Sequence, residues 1–427
     1  MNTMSKPLEA MITRIKLPAR DAASDNSSVE ATVKTILGDV AARGDAAVRE
    51  FSKKFDNSSQ EALEVTMAER EAAVAELDPQ TRADTQFAID NVTAFAKAQL
   101  ATILPLEIEI LPGVHLGHRV IPIDRVGCYV PGGRYPLLSA PVMTIVPARV
   151  AGVKEIIACL PPNAHEAMIA GCHLSGADRI FRVGGAQAIA AMAYGTESIP
   201  KADKIVGPGN AFVNEAKRQV FGPVGIDQLA GPSEIYTLAD EAGNARMIAT
   251  DMLAQAEHDV STRVGLITTD HALAIEVQAE VERQLLDLST AQVAGAAWRD
   301  YGEIIVVPDE ATMIAVSDVI AAEHLQVHTK DAKNLALKLS SYGSLFIGEN
   351  ASVVYSDKCI GTNHTLPTMA AGRYTGGLWV GAYVKICTHQ WLEDNAIAQV
   401  AMPAIRQSAS EGLEGHRRAA AFRMEKN

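Results

Sequence analysis

A few short polar runs in this chain carry side chains suited to chemistry. Gln255-Ala256-Glu257-His258 falls on a helical stretch or at its end. Gln255 and His258 are three residues apart, so they share a helix face and can grip one metal ion. A solvated polar face would read the same way. Glu323-His324 follows a helical stretch over 311–321 and reads as a loop. Histidine exchanges protons near neutral pH, and a neighbouring carboxylate can tune it or activate water. Gly361-Thr362-Asn363-His364 is a polar loop, with Asp357 shortly before it. Loops of that kind often carry sites. Ser233 stands in Gly231-Pro232-Ser233-Glu234. Its hydroxyl is a nucleophile by type, but no GxSxG elbow surrounds it, and a plain turn reads equally well. Glu411 and His416 lie in a polar tail, which reaches a site only by folding back or crossing to a second subunit.

The elements that must position these groups alternate between strand and helix from residue 125 onward. Short Gly/Pro connections separate them, which is the pattern of doubly wound parallel sheets. Strands are expected at 126–130, 155–160, 180–183, 204–206, 235–239, 264–268, 303–307, 343–347 and 353–354. Glycine-rich turns follow three of them: Pro131-Gly132-Gly133, Gly184-Gly185-Ala186-Gln187 and Gly207-Pro208-Gly209-Asn210. Glycine lets backbone N–H groups approach an anion at a helix N-terminus, so the turns favour a nucleotide or phosphate ligand. None completes GxGxxG, and Asn210 also reads as a helix N-cap. The first hundred residues read as helices, with 106–111 as a strand. A helix is expected over 140–151 although Pro147 lies inside it. The last stretch reads as helical and exposed.

Composition narrows the classes. The chain has 427 residues, with 48% apolar and 21% charged, the mix of an ordinary globular protein of two or three domains. Lys and Arg number 38 against 51 Asp and Glu, a formal charge of −13. That sign repels phosphate backbones, so no nucleic acid partner is expected. Five cysteines and no CxxC argue against a disulfide framework and for a cytoplasmic setting. No apolar run is long enough to span a bilayer, so no membrane partner is expected.

Taken together, these segments resemble the histidinol dehydrogenase family. The resemblance runs from Val126-Gly127-Cys128-Tyr129-Val130-Pro131-Gly132-Gly133 through the Gly184, Gly207, Gly231, Gln255 and Glu323 runs to Gly361–His364. It implies a zinc- and NAD-dependent enzyme that oxidises an alcohol to a carboxylate through an aldehyde held in the site. By resemblance, Gln255, His258, Asp357 and His416 are zinc ligands, and these also line the substrate. Glu323 and His324 are the catalytic pair. Ser233, His364 and Glu411 contact the small-molecule substrate, and Tyr129, Gln187 and Asn210 contact NAD. The tail ligand implies an intertwined homodimer of two doubly wound α/β domains with small helical terminal segments. The implied division is 1–22, then 23–126 with 235–378 around an inserted NAD-binding 127–234, then a tail over 379–427. Gly372-Arg373-Tyr374-Thr375, Gln228, His118 and Gly133-Arg134-Tyr135-Pro136 depart from the biosynthetic pattern. They resemble a catabolic branch that includes sulfopropanediol 3-dehydrogenase, whose sulfonate would need donors such as His118, Arg134 and Arg373. The alternatives are a non-catalytic ligand-binding paralogue, which an intact set of site residues disfavours, and a phosphate-binding transferase, which leaves the Gly361–His364 run unexplained.

Overall fold

The computed structural model describes residues 4–20, 27–132 and 137–425. In chain order the strands are β1 (Thr13–Lys16), β2 (Leu106–Leu111), β3 (Val114–Pro122), β4 (Arg125–Tyr129), β5 (Glu155–Leu160), β6 (Arg179–Arg182) and β7 (Lys204–Val206). There follow β8 (Gly225–Ile226), β9 (Glu234–Ala239), β10 (Arg263–Thr268), β11 (Glu303–Val306), β12 (His324–His328), β13 (Ser344–Ile347) and β14 (Val384–Leu392). They form a parallel sheet in the order β6-β5-β4-β7-β8 and a second sheet in the order β1-β11-β10-β9-β12-β13. The second is parallel except for β1, which runs antiparallel to β11. A third, antiparallel sheet has the order β14-β3-β2.

The parallel strands are near-continuous apolar runs because helices cover both their faces. Ile156, Ile157, Ala158, Cys159 and Leu160 of β5 are all buried, as is the whole of β9. In each parallel sheet the order reverses once, between β4 and β7 and between β9 and β12. Strand and helix alternate as the sequence predicts, and the α/β class with doubly wound parallel sheets is the observed one.

Several local expectations are corrected. Residues 13–16 form a strand, because Thr13, Arg14 and Lys16 find an edge of the second sheet to pair with. The tail holds the nine-residue β14, paired along its length with β3. Val353 and Val354 open a helix, Val353–Lys358, behind Ser352; a two-residue apolar run has no period to read. His324 begins a buried strand instead of sitting in a loop. The helices Ser27–Arg43 and Asp45–Asp56 share a core with Phe181, Ile189 and Ile205 of the first sheet's unit. Helix Pro79–Leu100 contributes Ile89 and Val92, packed on Val142, Met143 and Val146. The buried apolar faces of residues 27–100 pack with the first sheet's unit, and helix Pro79–Leu100 also reaches the later part of the chain, where Asn91 Nδ2 donates to the Cys359 carbonyl at 2.8 Å. Amphipathic helices show which face is apolar, not which sheet receives it.

The helix Ser139–Ala151 runs through Pro147. Proline at 147 cannot donate to the carbonyl four residues back, at Met143. Asn363 Nδ2 donates to that carbonyl instead, at 2.7 Å. The Gly361–His364 loop is thereby fastened to a helix of the first sheet's unit.

Candidate active site

Glu323 closes the loop after helix Glu310–Ile320, and His324 opens β12. Both are buried, at 6% and 2% exposure. β9 pairs beside β12 with Ile235 opposite His324, which brings Glu234 against the pair. Glu323 Oε2 accepts the Glu234 N–H at 2.8 Å and lies 3.4 Å from His324 Nδ1. The Glu234 carbonyl is 2.9 Å from the same Nδ1. A carbonyl only accepts, so Nδ1 carries a proton, and in the neutral ring Nε2 then keeps its lone pair. Nε2 is buried without a hydrogen-bond partner. Burial works against the imidazolium, but the Glu323 carboxylate, the Asp357 charge and the Glu234 carbonyl together outweigh it and push His324 up to about 9. A cation taking up the charge of Asp357 would remove that part of the pull.

The other groups converge from different elements. Gln255 is in the last turn of helix Ala245–Ala256, buried, with His258 just past its end. Asp357 lies on helix Val353–Lys358, and its Oδ2 is 3.8 Å from His258 Nε2. His364 Nε2 is enclosed without a hydrogen-bond partner. Burial holds the ring below its usual range, against the charge of Asp357, and therefore neutral. Asp357 thus acts electrostatically on both His324 and His364. Ser233 sits one residue before Glu234, its carbonyl accepting the Arg263 N–H at 3.0 Å.

The sequence reading passed over Glu234. It is 3% exposed, and burial, aided by the Glu323 charge, pushes its carboxyl up to about 7 against the pull of Arg263. Its Oε1 accepts the Met369 N–H at 3.1 Å, where Met369 and Ala370 both adopt positive φ. An acid heading an otherwise apolar strand was the available signal.

The glycine turns gather at the carboxyl edge of the first sheet. Those after β4 and β7 flank the point where its strand order reverses, the usual ligand crevice of such sheets. Gly132 and Gly184 both press on Pro161. Tyr129 is buried, and its hydroxyl accepts the Gly185 N–H at 3.2 Å. Gln187 Nε2 donates to Asp56 at 3.2 Å, which places a carboxylate absent from the sequence reading beside this turn. Asn210 caps helix Ala211–Val220, accepting from the Phe212 and Val213 N–H groups. The segment from Asp227 to Ser233 links β8 to β9, and so runs from this edge to the amino edge of the second sheet.

Residues 19–424 match the family model described as histidinol dehydrogenase. The chain belongs to the histidinol dehydrogenase family. It is 49% identical over 92% of its length to Histidinol dehydrogenase homolog 1 of Mesorhizobium japonicum, covering 79% of that protein. It is 44% identical to the Sulfopropanediol 3-dehydrogenase of Ruegeria pomeroyi, over 97% of both chains. It is 42% identical to the Histidinol dehydrogenase of Rhizobium meliloti, over 93% of both. The crystal structure of Histidinol Dehydrogenase from Elizabethkingia anophelis superposes with a TM-score of 0.91 at 33% identity, covering all of this chain and 97% of the other. As a histidinol dehydrogenase family member, the protein is an NAD-dependent oxidoreductase acting on an alcohol group of a small molecule.

The remaining predicted contacts stand apart from this cluster within one chain. Glu411 follows helix Ile397–Ser410, and His416 lies on Glu414–Glu425; both residues are exposed. His118 is on β3 and bonds the Leu104 carbonyl at 2.9 Å. Arg373 Nε donates to the Ala370 carbonyl at 2.8 Å. Arg134 lies outside the described residues. The donor set fits the family's groups in chemistry. The His258 imidazole, the Gln255 amide and the Asp357 carboxylate suit Zn²⁺. Among the described residues, no group of three or more His, Cys, Asp or Glu is assembled tightly enough to hold a metal. No helix among the described residues is long and apolar enough to cross a membrane.

Proposed function

We propose that the protein oxidises the primary alcohol of L-histidinol to the carboxylate of L-histidine in two hydride transfers, through an aldehyde that stays in the site. The observation that supports this most is the convergence of Glu323, His324, His258, Asp357 and His364 at one sheet edge, with His324 Nε2 free. NAD, when bound, would accept the hydride in each half. In the first half, His324 Nε2 takes the hydroxyl proton as the alcohol becomes the aldehyde. In the second, Glu323 draws a proton from the water that adds to the aldehyde, and oxidation of the hydrate leaves the carboxylate, its second proton passing to solvent. The Glu234 carbonyl holds His324 in the tautomer this requires.

Gln255, His258, Asp357 and a partner subunit's tail would hold Zn²⁺, whose contribution is Lewis-acid polarisation of the reacting oxygen. We assign His416 as the tail ligand, and Glu411, Ser233 and His364 as substrate contacts. Tyr129, Gln187 and Asn210 would hold NAD. The tail role requires a homodimer. Its support is the exposed apolar row Leu106, Ile108 and Ile110 on β2 with Ile386 on β14, and a last helix that buries none of its side chains within its own chain. A cytoplasmic setting fits five free cysteines.

A second reading, oxidation of a sulfonated diol, is favoured by the 44% identity to the sulfopropanediol enzyme over 97% of both chains. His118 gives it no support, since its Nε2 meets the Leu104 carbonyl, whereas Arg373 spends only Nε on the Ala370 carbonyl. NADH formation by the zinc-loaded enzyme decides between the two. Two NADH per L-histidinol upholds the first reading. Turnover of sulfopropanediol alone replaces it with the second, and silence with both rejects both substrates and points to another small alcohol.

A further inference from the structure

One fully buried ion pair plays no part in the chemistry above. Lys217, on helix Ala211–Val220, pairs with Asp227, just past β8, and the side chains of both are 2% exposed. Burying two opposite charges costs several kcal/mol per ion in desolvation, and an apolar pair of the same size is often as stable or more so. Stability alone therefore does not account for it.

Its hydrogen bonds do. Asp227 Oδ2 accepts the Gly207 N–H at 2.8 Å, and Lys217 Nζ donates to the Gly207 carbonyl at 2.9 Å. Lys217 also meets the other Asp227 oxygen, so the pair closes a ring around the backbone of one residue, gripping the peptide on each side of the Gly207 Cα. Gly207 opens the third glycine turn with φ +113°, and a Cβ there would lie 2.1 Å from the Tyr129 carbonyl. The turn therefore runs flush against the end of β4, beside the reversal point. The helix that supplies Lys217 begins at Asn210, and its Asn214 accepts the Ala230 N–H at 2.9 Å, which ties it to the segment leading to Ser233.

We propose that Lys217 and Asp227 are positioning residues that hold the turn 207–210 in the shape that receives the dinucleotide. The inference rests on the NAD reading above. The charges touch no ligand; they satisfy both backbone polar groups of Gly207, a residue whose conformation leaves it outside the β7 ladder. Without the grip the turn samples other shapes, and apparent affinity falls by the fraction of time the competent one is present.

The test compares the wild type with Lys217→Met/Asp227→Leu, a volume-matched apolar exchange, in the full-length zinc-loaded enzyme. NAD binding is read by calorimetry, and hydrogen exchange is read on peptides spanning 205–210. If the turn is competent for a tenth to a hundredth of the time, the Kd for NAD rises about 10- to 100-fold. Exchange at the turn accelerates. The KM for alcohol and kcat at saturating NAD stay within about twofold, because the reacting groups are untouched. A folded double variant with wild-type NAD affinity, or with unchanged exchange at the turn, overturns the proposal. Should the double variant not fold, Asp227→Asn decides. It keeps the size but weakens the pair; a raised NAD Kd with unchanged kcat supports the clamp, and an unchanged Kd overturns it. A wild type that binds no NAD defeats the cofactor reading, while the exchange data still judge the clamp.

Discussion

Replacing Asn363 by alanine tests how the Gly361–His364 loop is held. The side chain makes two hydrogen bonds. Nδ2 donates to the Met143 carbonyl at 2.7 Å, and Oδ1 accepts the Thr365 N–H at 2.9 Å. Met143 and Thr365 are 0% and 3% exposed. Each orphaned buried group costs about 1–3 kcal/mol, and partial rehydration trims the total to about 2–4 kcal/mol. At an unfolding entropy of about 2.1 cal/mol/K per residue, a chain of this length loses roughly 1 °C of Tm per kcal/mol, so the drop is about 2–4 °C. His364 follows directly, so kcat/KM falls too. The decisive comparison adds Pro147→Ala. In the wild type that change costs about 0.4–1 kcal/mol, because the unfolded chain gains freedom. In the Asn363→Ala background the new N–H at 147 reaches the vacated Met143 carbonyl, one helical turn back. Calorimetric melting of the four proteins should show a coupling of about 1 kcal/mol, with Pro147→Ala less harmful in the variant than in the wild type. Strict additivity, or an Asn363→Ala protein as stable as the wild type, would refute the reasoning.

Three further outcomes follow. His324→Ala should lower turnover by about 10²–10⁴-fold while bound zinc, read by plasma emission, stays at the wild-type level; near-normal turnover would remove His324 from the chemistry. His258→Ala and Asp357→Ala should each lose zinc, and His416→Ala should weaken it; undiminished zinc in the last would take the tail out of the site. Glu234→Gln should change the pH dependence of stability in metal-free protein. The folded carboxyl titrates at about 7, above its ordinary 4.5, so the fold favours the protonated form. The resulting penalty is absent below the ordinary value, grows between 4.5 and 7, and is complete above 7, at roughly 3 kcal/mol as an upper bound. The variant is permanently neutral, and its Tm advantage should therefore be larger at pH 8.5 than at pH 4.5. An advantage that is equal at both would show that Glu234 is not held protonated.

The residue types of the site were legible in the sequence because chemistry restricts them. Gln255 and His258 on one helix end, Glu323-His324, and the Gly361–His364 run are uncommon enough to be picked out locally. The strand–helix alternation was legible too, since buried parallel strands must be apolar throughout and their connections need turn residues. Other features depend on partners distant in sequence. That Glu323 and His324 open a buried strand follows from the pairing of β12 with β9, which also brings in Glu234. The tautomer of His324 is set by a carbonyl 90 residues away. The role of Asn363 depends on the proline at 147, and the role of Lys217 on Asp227 and the Gly207 peptide. Helices 27–100 have an apolar face that would suit either sheet, and only the packed core assigns them to the first. Local pattern reports what a residue can do. Which carbonyl lacks a donor, which charge is buried beside which, and which sheet covers which helix are settled only when the chain closes on itself, because each is a property of two segments and not of one.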